Sequence, residues 1–200
     1  MSHHIYTTEA YVFKHDYTRD SDALIYIFTK DLGYIRAVAT GSRFEKSKHR
    51  FALQDFSKIT VSLVQGKTGW RITSAQPHKN IYNDLYENNK ELFSVFARAI
   101  KTLQRFLQGE EGDYALYNSF DQAIQFGYEN LTDFKQKENL KNFELLLMVR
   151  ILGQLGYATE PKYLNETNTE TYSINYLEII KKHTPELIKM INTALHQSHL

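Results

Sequence analysis

The chain has 200 residues, with 24 Lys or Arg against 23 Asp or Glu, a net charge of +1 and no cysteine. That length suits one large or two small domains, and the missing thiols exclude disulfides, thiol catalysis and thiolate metal sites, as expected of a cytoplasmic protein. No stretch approaches the ~18 uncharged apolar residues of a membrane span, and Met1-Ser2-His3-His4 lacks the basic and apolar regions of a signal peptide, so no membrane role is expected.

In chain order, Ile5 to Phe13 reads as a strand, and Leu24 to Thr29 as a strand apolar on both faces. Asp31-Leu32-Gly33 turns the chain into a third strand from Tyr34 to Thr40. Ser57 to Val64 alternates strictly, with Ile59, Val61 and Leu63 on one side and Lys58, Thr60 and Ser62 on the other. Gln65 to Gly69 is a turn, and Trp70-Arg71-Ile72-Thr73 resumes the alternation as a hairpin. Five strands joined by hairpin turns fit a small closed barrel.

After Pro77 the period becomes helical. Leu92, Phe96, Ala99, Leu103 and Phe106 lie on one helical face, and Gly109 ends that run. Leu116, Phe120 and Ala123 predict a shorter helix stopped at Gly127. Phe143 to Leu155 is apolar almost all round, with Glu144, Arg150 and Gln154 as exceptions, so it belongs in the middle of a bundle, with Gly156 as its C-terminal stop. Asn165 to Thr171 reads as a polar loop, and Thr184-Pro185 as the N-cap and first position of the last helix. The expected class is α+β: a five-stranded oligonucleotide-binding (OB-fold) barrel over residues 1–78, then a helical domain over residues 79–200.

The charge is unevenly spread. Residues 1–80 carry 12 Lys or Arg and 7 Asp or Glu, a net of +5, which leaves −4 for residues 81–200. Between Arg36 and Arg50 the chain holds Arg36, Arg43, Lys46, Lys48 and Arg50 against one acid, Glu45, with Phe44 among the cations. An apolar strand followed by a cationic loop suits a polyanion, because phosphates need fixed positive charge and hydrogen-bond donors. A solvated surface loop is the plain alternative.

Signatures of catalysis are missing: no Gly-x-Ser-x-Gly elbow, no phosphate-binding Gly-x-x-x-x-Gly-Lys loop and no dinucleotide fingerprint. The histidines are scattered, and His3, His4, His196 and His199 fit chain ends better than a metal site. Asp16, Asp20 and Asp22 fit a turn rich in Asx hydrogen bonds better than a divalent-cation site. No cofactor, no metal and no enzymatic step are expected.

Several short segments in order are similar to the N-terminal domain of the RecO recombination mediators. They are Arg19-Asp20-Ser21-Asp22, Phe28-Thr29 with Gly33, Ala39-Thr40-Gly41-Ser42-Arg43, Lys46-Ser47, Arg50 and Leu53-Gln54-Asp55-Phe56. Leu152-Gly153-Gln154-Leu155-Gly156-Tyr157 resembles the end of that family's central apolar helix. The resemblance implies an OB-fold barrel followed by a helical domain. It also implies binding of single- and double-stranded DNA, annealing of complementary strands, and contacts with RecR and the single-stranded DNA-binding protein (SSB) so that RecA can be loaded. Many members carry a four-cysteine zinc module after the Leu-Gly-Tyr element, whereas residues 158–173 are short and hold no Cys. The zinc function is therefore not implied here.

On this reading Arg36, Arg43, Lys46, Lys48 and Arg50 contact phosphates, with Lys30, Lys67 and Arg71 flanking them. Phe44, Tyr34 and Trp70 are candidates for base stacking, although each is more often a core or hairpin residue. Arg98, Lys101 and Arg105, at i, i+3 and i+7, fit a solvated helix face, or else a seat for the acidic C-terminal tail of SSB. A monomer is expected on its own. The rival class is an RNA-binding or ribosome-associated OB-fold protein, which competition between DNA and RNA of one sequence would separate.

Overall fold

The computed structural model describes residues 4–17, 22–42, 49–107, 109–164 and 172–197. Strands β1 (Ile5–Tyr17), β2 (Ala23–Thr29), β3 (Gly33–Ala39), β4 (Ser57–Gly66) and β5 (Gly69–Asn80) close into a barrel in the order β1-β2-β3-β5-β4. The long β1 makes closure possible. Its first half pairs with β4, from Ile5↔Val64 to Tyr11↔Lys58, and its second half with β2, from Ala10↔Thr29 to Tyr17↔Ala23. A register shift between Val12 and Lys14 bends the strand from one partner to the other. A short parallel ladder, Ala37↔Trp70 and Val38↔Arg71, seals β3 to β5.

Alternation decides what fills the barrel. Val12, Ile25, Ile27, Ile35, Ile59, Val61 and Leu63 point inward and are buried, as the period-two pattern of β4 expects. The short α1 (His49–Ala52) and the residue after it add Ala52 and Leu53 to the same core.

The run of helices that follows the barrel strands begins at Ile81, not directly after Pro77. Pro77 lies inside β5, opposite Ile59, where the ladder skips a residue between Lys58 and Ile59. A proline has no N–H for the ladder, and a bulge is where a strand tolerates it. Asn80 then ends the strand and caps α2 (Ile81–Leu85): its Oδ1 accepts from the Asn83 N–H at 3.0 Å, and its Nδ2 donates to the Asp55 carbonyl at 2.9 Å.

The chain divides into two compact units, Met1–Asn88 with Leu107–Tyr114, and Asn89–Phe106 with Ala115–Leu200. The second contains α3 (Lys90–Phe106), α4 (Tyr114–Glu129, which starts at the boundary), α5 (Lys137–Gln154) and α6 (Ile174–Gln197). On α5, Phe143, Leu146, Leu147, Val149, Ile151 and Leu152 are all buried, and Arg150 is buried with them. The Arg150 charge has partners: Nη1 donates to Glu160 Oε1 at 2.8 Å, and the guanidinium lies over the Tyr172 and Tyr176 rings at 5.7 and 5.4 Å. Gly156 has φ +78°, and the Tyr157 N–H donates to the Leu152 carbonyl at 2.9 Å, closing the helix end.

Two helix signals meant something else. Gly127 does not stop α4. It lies inside the helix, where a Cβ would come 2.6 Å from Phe96 Cζ, so the glycine is the seat of a ring. Pro185 does not begin the last helix but sits in the interior of α6. Proline leaves the Lys181 carbonyl without its helical donor, and the Thr184 hydroxyl lies 3.3 Å from that oxygen and 3.1 Å from the Ile180 carbonyl, donating in its place. The polar loop expected from Asn165 to Thr171 lies outside the described residues.

Tyr172 makes the helical unit sensitive to alkali. Its ring packs against Phe126 and Phe143, its hydroxyl meets Ser119 Oγ at 3.4 Å, and burial pushes its pKa from 10.0 up to about 12. Below the unfolded value the hydroxyl is neutral in both states. Between the unfolded and folded values only the unfolded chain ionises, so stability falls as pH rises through that window, by about 3 kcal/mol in all. Urea unfolding of the Tyr172→Phe variant should show a smaller loss between about pH 8 and pH 11 than the wild type. Equal losses would mean that Tyr172 ionises freely in the fold.

Candidate nucleic-acid interface

The outer face of β1, β2 and β3 carries a polar row built by strand register. Lys14 pairs with Tyr26, and Tyr26 pairs with Arg36. Arg36 points outward because its neighbours Ile35 and Ala37 point into the core. Lys14 Nζ sits 5.5 Å from the Tyr26 ring centre and 2.7 Å from Asp16 Oδ1. The hydrogen bond raises the Lys14 pKa and lowers that of Asp16, but the pair is exposed, so it adds little stability.

Next to this row is a groove of about 610 Å³. Tyr26 of β2, Tyr34, Arg36 and Val38 of β3, Trp70 of β5 and the Thr68-Gly69 turn form most of its wall. In a five-stranded barrel of this kind, the β2–β3 face and the β4–β5 turn are where oligonucleotides lie.

The expected contact residues have different settings. Arg36, Lys67 and Arg71 are exposed, Lys67 in the β4–β5 turn and Arg71 on β5 opposite Val38. Lys30 is engaged: Nζ lies 3.5 Å from Glu9 and 5.4 Å from the Tyr114 ring centre. Tyr34 is half-buried, its ring 5.8 Å from that of Phe13. Trp70 belongs to the barrel core. It is 6% exposed and packs edge-on against Tyr6 at 5.3 Å, so its ring face is spent on the fold rather than offered to a base. Arg43, Phe44, Lys46 and Lys48 lie outside the described residues.

The anchors of that loop are described. At one end the Gly41 N–H donates to Asp22 Oδ1 at 2.9 Å, a bond between residues far apart in sequence rather than the local Asx turn expected there, and Asp16 lies in β1 beside Lys14. At the other end α1 is two-sided: Ala52 is in the core while Arg50 is exposed and Phe51 is 70% exposed. Sequence reasoning missed Phe51 and Tyr26. Phe51 carried a signal, since an aromatic directly after a cationic run is a feature of single-strand binders.

In the helical unit, Arg98, Lys101 and Arg105 rim a second groove of about 410 Å³ floored by Leu145, Met148, Ile191 and Leu195. Arg98 is held by a two-pronged pair with Glu144, the Nη2 to Oε2 arm at 2.8 Å, and Arg105 donates to the Leu195 carbonyl at 3.0 Å. Among the described residues no group of three or more His, Asp or Glu could hold a metal ion, and no helix is long and apolar enough to cross a membrane.

The family described as "Recombination protein O N terminal" matches residues 1–81. Curated relatives agree with it. The chain is 27% identical over 141 residues to the DNA repair protein RecO of Alkaliphilus metalliredigens, a match covering 70% of this chain and 56% of that protein. It is 29% identical over 145 residues to the RecO of Thermoanaerobacter sp., with the same coverage. With the RecO of Clostridium novyi the identity is 24% over 172 residues, covering 82% of this chain and 64% of the relative. The match therefore spans little more than half the length of the first two relatives.

Proposed function

We propose that the chain, whose residues 1–81 match the RecO N-terminal family and which is similar to curated RecO proteins, is a RecO-type DNA-binding recombination mediator without a chemical step. In this reading it holds single- and double-stranded DNA, anneals complementary strands, and works with SSB and RecR to help RecA load on SSB-coated single strands. The observation that carries it is the juxtaposition on one barrel face of exposed cations and a groove with aromatic walls. Arg36 lines the groove, Lys67 precedes the lining Thr68 in the β4–β5 turn and Arg71 follows the lining Trp70 on β5, and Arg50 with Phe51 ends the cationic run that also holds Arg43, Phe44, Lys46 and Lys48. Annealing follows when two strands are neutralised while their bases stay free to pair. That needs phosphate contacts and loose base stacking, not a sequence-reading helix.

The helical groove supports the partner side of the reading. A cationic rim over an apolar floor complements an acidic peptide that carries large apolar residues, which favours the tail-binding role of Arg98, Lys101 and Arg105 over a merely solvated face. A fluorescent SSB C-terminal tail peptide should bind the chain. Lys101→Glu, an exposed change on the rim, should weaken it roughly fivefold without lowering the melting temperature. Unchanged affinity in the variant, or no binding by the wild type, removes this groove from the proposal. The parent reading is tested separately, by the rate at which the chain anneals complementary strands.

A further inference from the structure

One wall of the barrel groove comes from far along the chain. Leu107–Tyr114 joins α3 to α4, yet it packs with the barrel unit, and its Leu107, Gly109 and Glu110 line the groove. The seat of this strap is backbone against backbone. Gly33, at φ +72°, faces the carbonyl of Glu111, and Gly112 faces the carbonyl of Asp31. A Cβ on either glycine would overlap the oxygen it faces, so the strap docks only because both side chains are absent. Lys30 over the Tyr114 ring fastens its far end.

The strap sets the groove's chemistry. Among the described residues, Arg36 and Glu110 are the charged side chains of the lining, one of each sign. A site for phosphates would be net positive, whereas this one is neutral, aromatic-walled, and carries both a strong donor and a strong acceptor. Trp70, in the same wall, also keeps a buried indole N–H without a partner among the described residues. A neutral planar ligand with donors and acceptors on its edge fits this combination, and phosphate does not.

Resting on the DNA-binding reading above, we infer that the groove is a pocket for an unpaired nucleobase. The base lies against Tyr26 and Tyr34. Arg36 donates to its carbonyl or ring-nitrogen acceptors, and Glu110 of the strap accepts from its exocyclic amino group, as carboxylates do from cytosine. The phosphates stay outside, on Lys67, Arg71 and Arg50. Base and backbone are thus read by different groups, and only the second contribution is strongly salt-dependent.

The test compares an oligo(dC) strand with an abasic strand of equal length and equal phosphate number, read by anisotropy and by the fluorescence of the chain's single tryptophan, Trp70. Wild type should bind oligo(dC) about tenfold more tightly than the abasic strand, with a change in Trp70 emission for oligo(dC) alone. Glu110→Gln, an exposed change, should weaken oligo(dC) several-fold and leave the abasic strand unaffected. Gly112→Val, which unseats the strap, should do the same. Equal affinity for the two strands overturns the pocket and leaves the phosphate interface standing. A Glu110→Gln variant that binds both strands more tightly, by equal factors, also overturns it, because Glu110 would then only repel. Failure of the wild type to bind either strand overturns the DNA-binding reading itself, and the pocket with it.

Discussion

Changing Lys46, Lys48 and Arg50 together to Glu should abolish DNA binding and annealing while leaving the melting temperature nearly unchanged. The reversal turns three positive charges into three negative ones within five residues of a run whose one acid is Glu45. Each lost phosphate contact removes a released counterion, and each new carboxylate repels the backbone, so the losses compound. Stability should hold because Arg50 is exposed and the core contribution of this region comes from Ala52 and Leu53, which the variant keeps. Electrophoretic mobility shift and strand-annealing rate measure the first expectation, and a thermal melt the second. A variant that anneals at the wild-type rate would place the DNA site elsewhere on the chain.

The other large effect is on folding. Leu152→Asp should unfold the helical unit. Leu152 is fully buried on α5 among Leu147, Val149 and Ile151. Truncating such a side chain costs about 2–5 kcal/mol, and a carboxyl with no partner in that surrounding adds about 1–3 kcal/mol more even when protonated. The sum rivals the ~5–15 kcal/mol that holds a typical domain together. Circular dichroism should therefore lose most of its helical signal. Leu152→Ala, carrying the truncation cost alone, should melt early but cooperatively. An Asp variant that melts like the wild type would show that α5 is not central to its unit.

The parts of the fold that were legible in the sequence are those set by local periodicity. Ile59, Val61 and Leu63 alternate because one face of β4 fills the barrel, and they are buried as that pattern requires. The all-round apolar character of Phe143 to Leu155 announced a buried helix, and Gly156 closes it. The misreadings came from residues taken as local punctuation. Pro77 is absorbed by a bulge, Gly127 makes room for the Phe96 ring, and Pro185 is tolerated where the Thr184 hydroxyl replaces the missing donor. In each case a ladder bulge, a tertiary contact or a side-chain hydrogen bond outweighed the intrinsic preference of the residue.

The candidate site divides the same way. Arg36 and the cationic run were visible because charge clustering is a local property of the chain. Tyr26 was hidden inside an apolar strand and emerges only through its pairing with Lys14 and Arg36. Glu110 had no signal at all, since its place in the groove that Arg36 also lines depends on two glycines, Gly33 and Gly112, that lie about eighty residues apart in the chain and meet the strap and the β2–β3 turn in space. Trp70, a stacking candidate that was more often expected to be a core or hairpin residue, is buried in the barrel core.

The claim on which the rest depends is that the barrel face neutralises a nucleic-acid backbone, and the salt dependence of single-strand binding tests it most directly. For wild type, the logarithm of the binding constant should fall linearly with the logarithm of salt concentration, with a slope reflecting several phosphate contacts at about 0.7 per contact. Arg71→Ala, an exposed change on β5, should weaken binding to all sequences alike and flatten that slope by roughly one contact. A slope near zero in the wild type, or one that Arg71→Ala leaves unchanged, would contradict the assignment of this face.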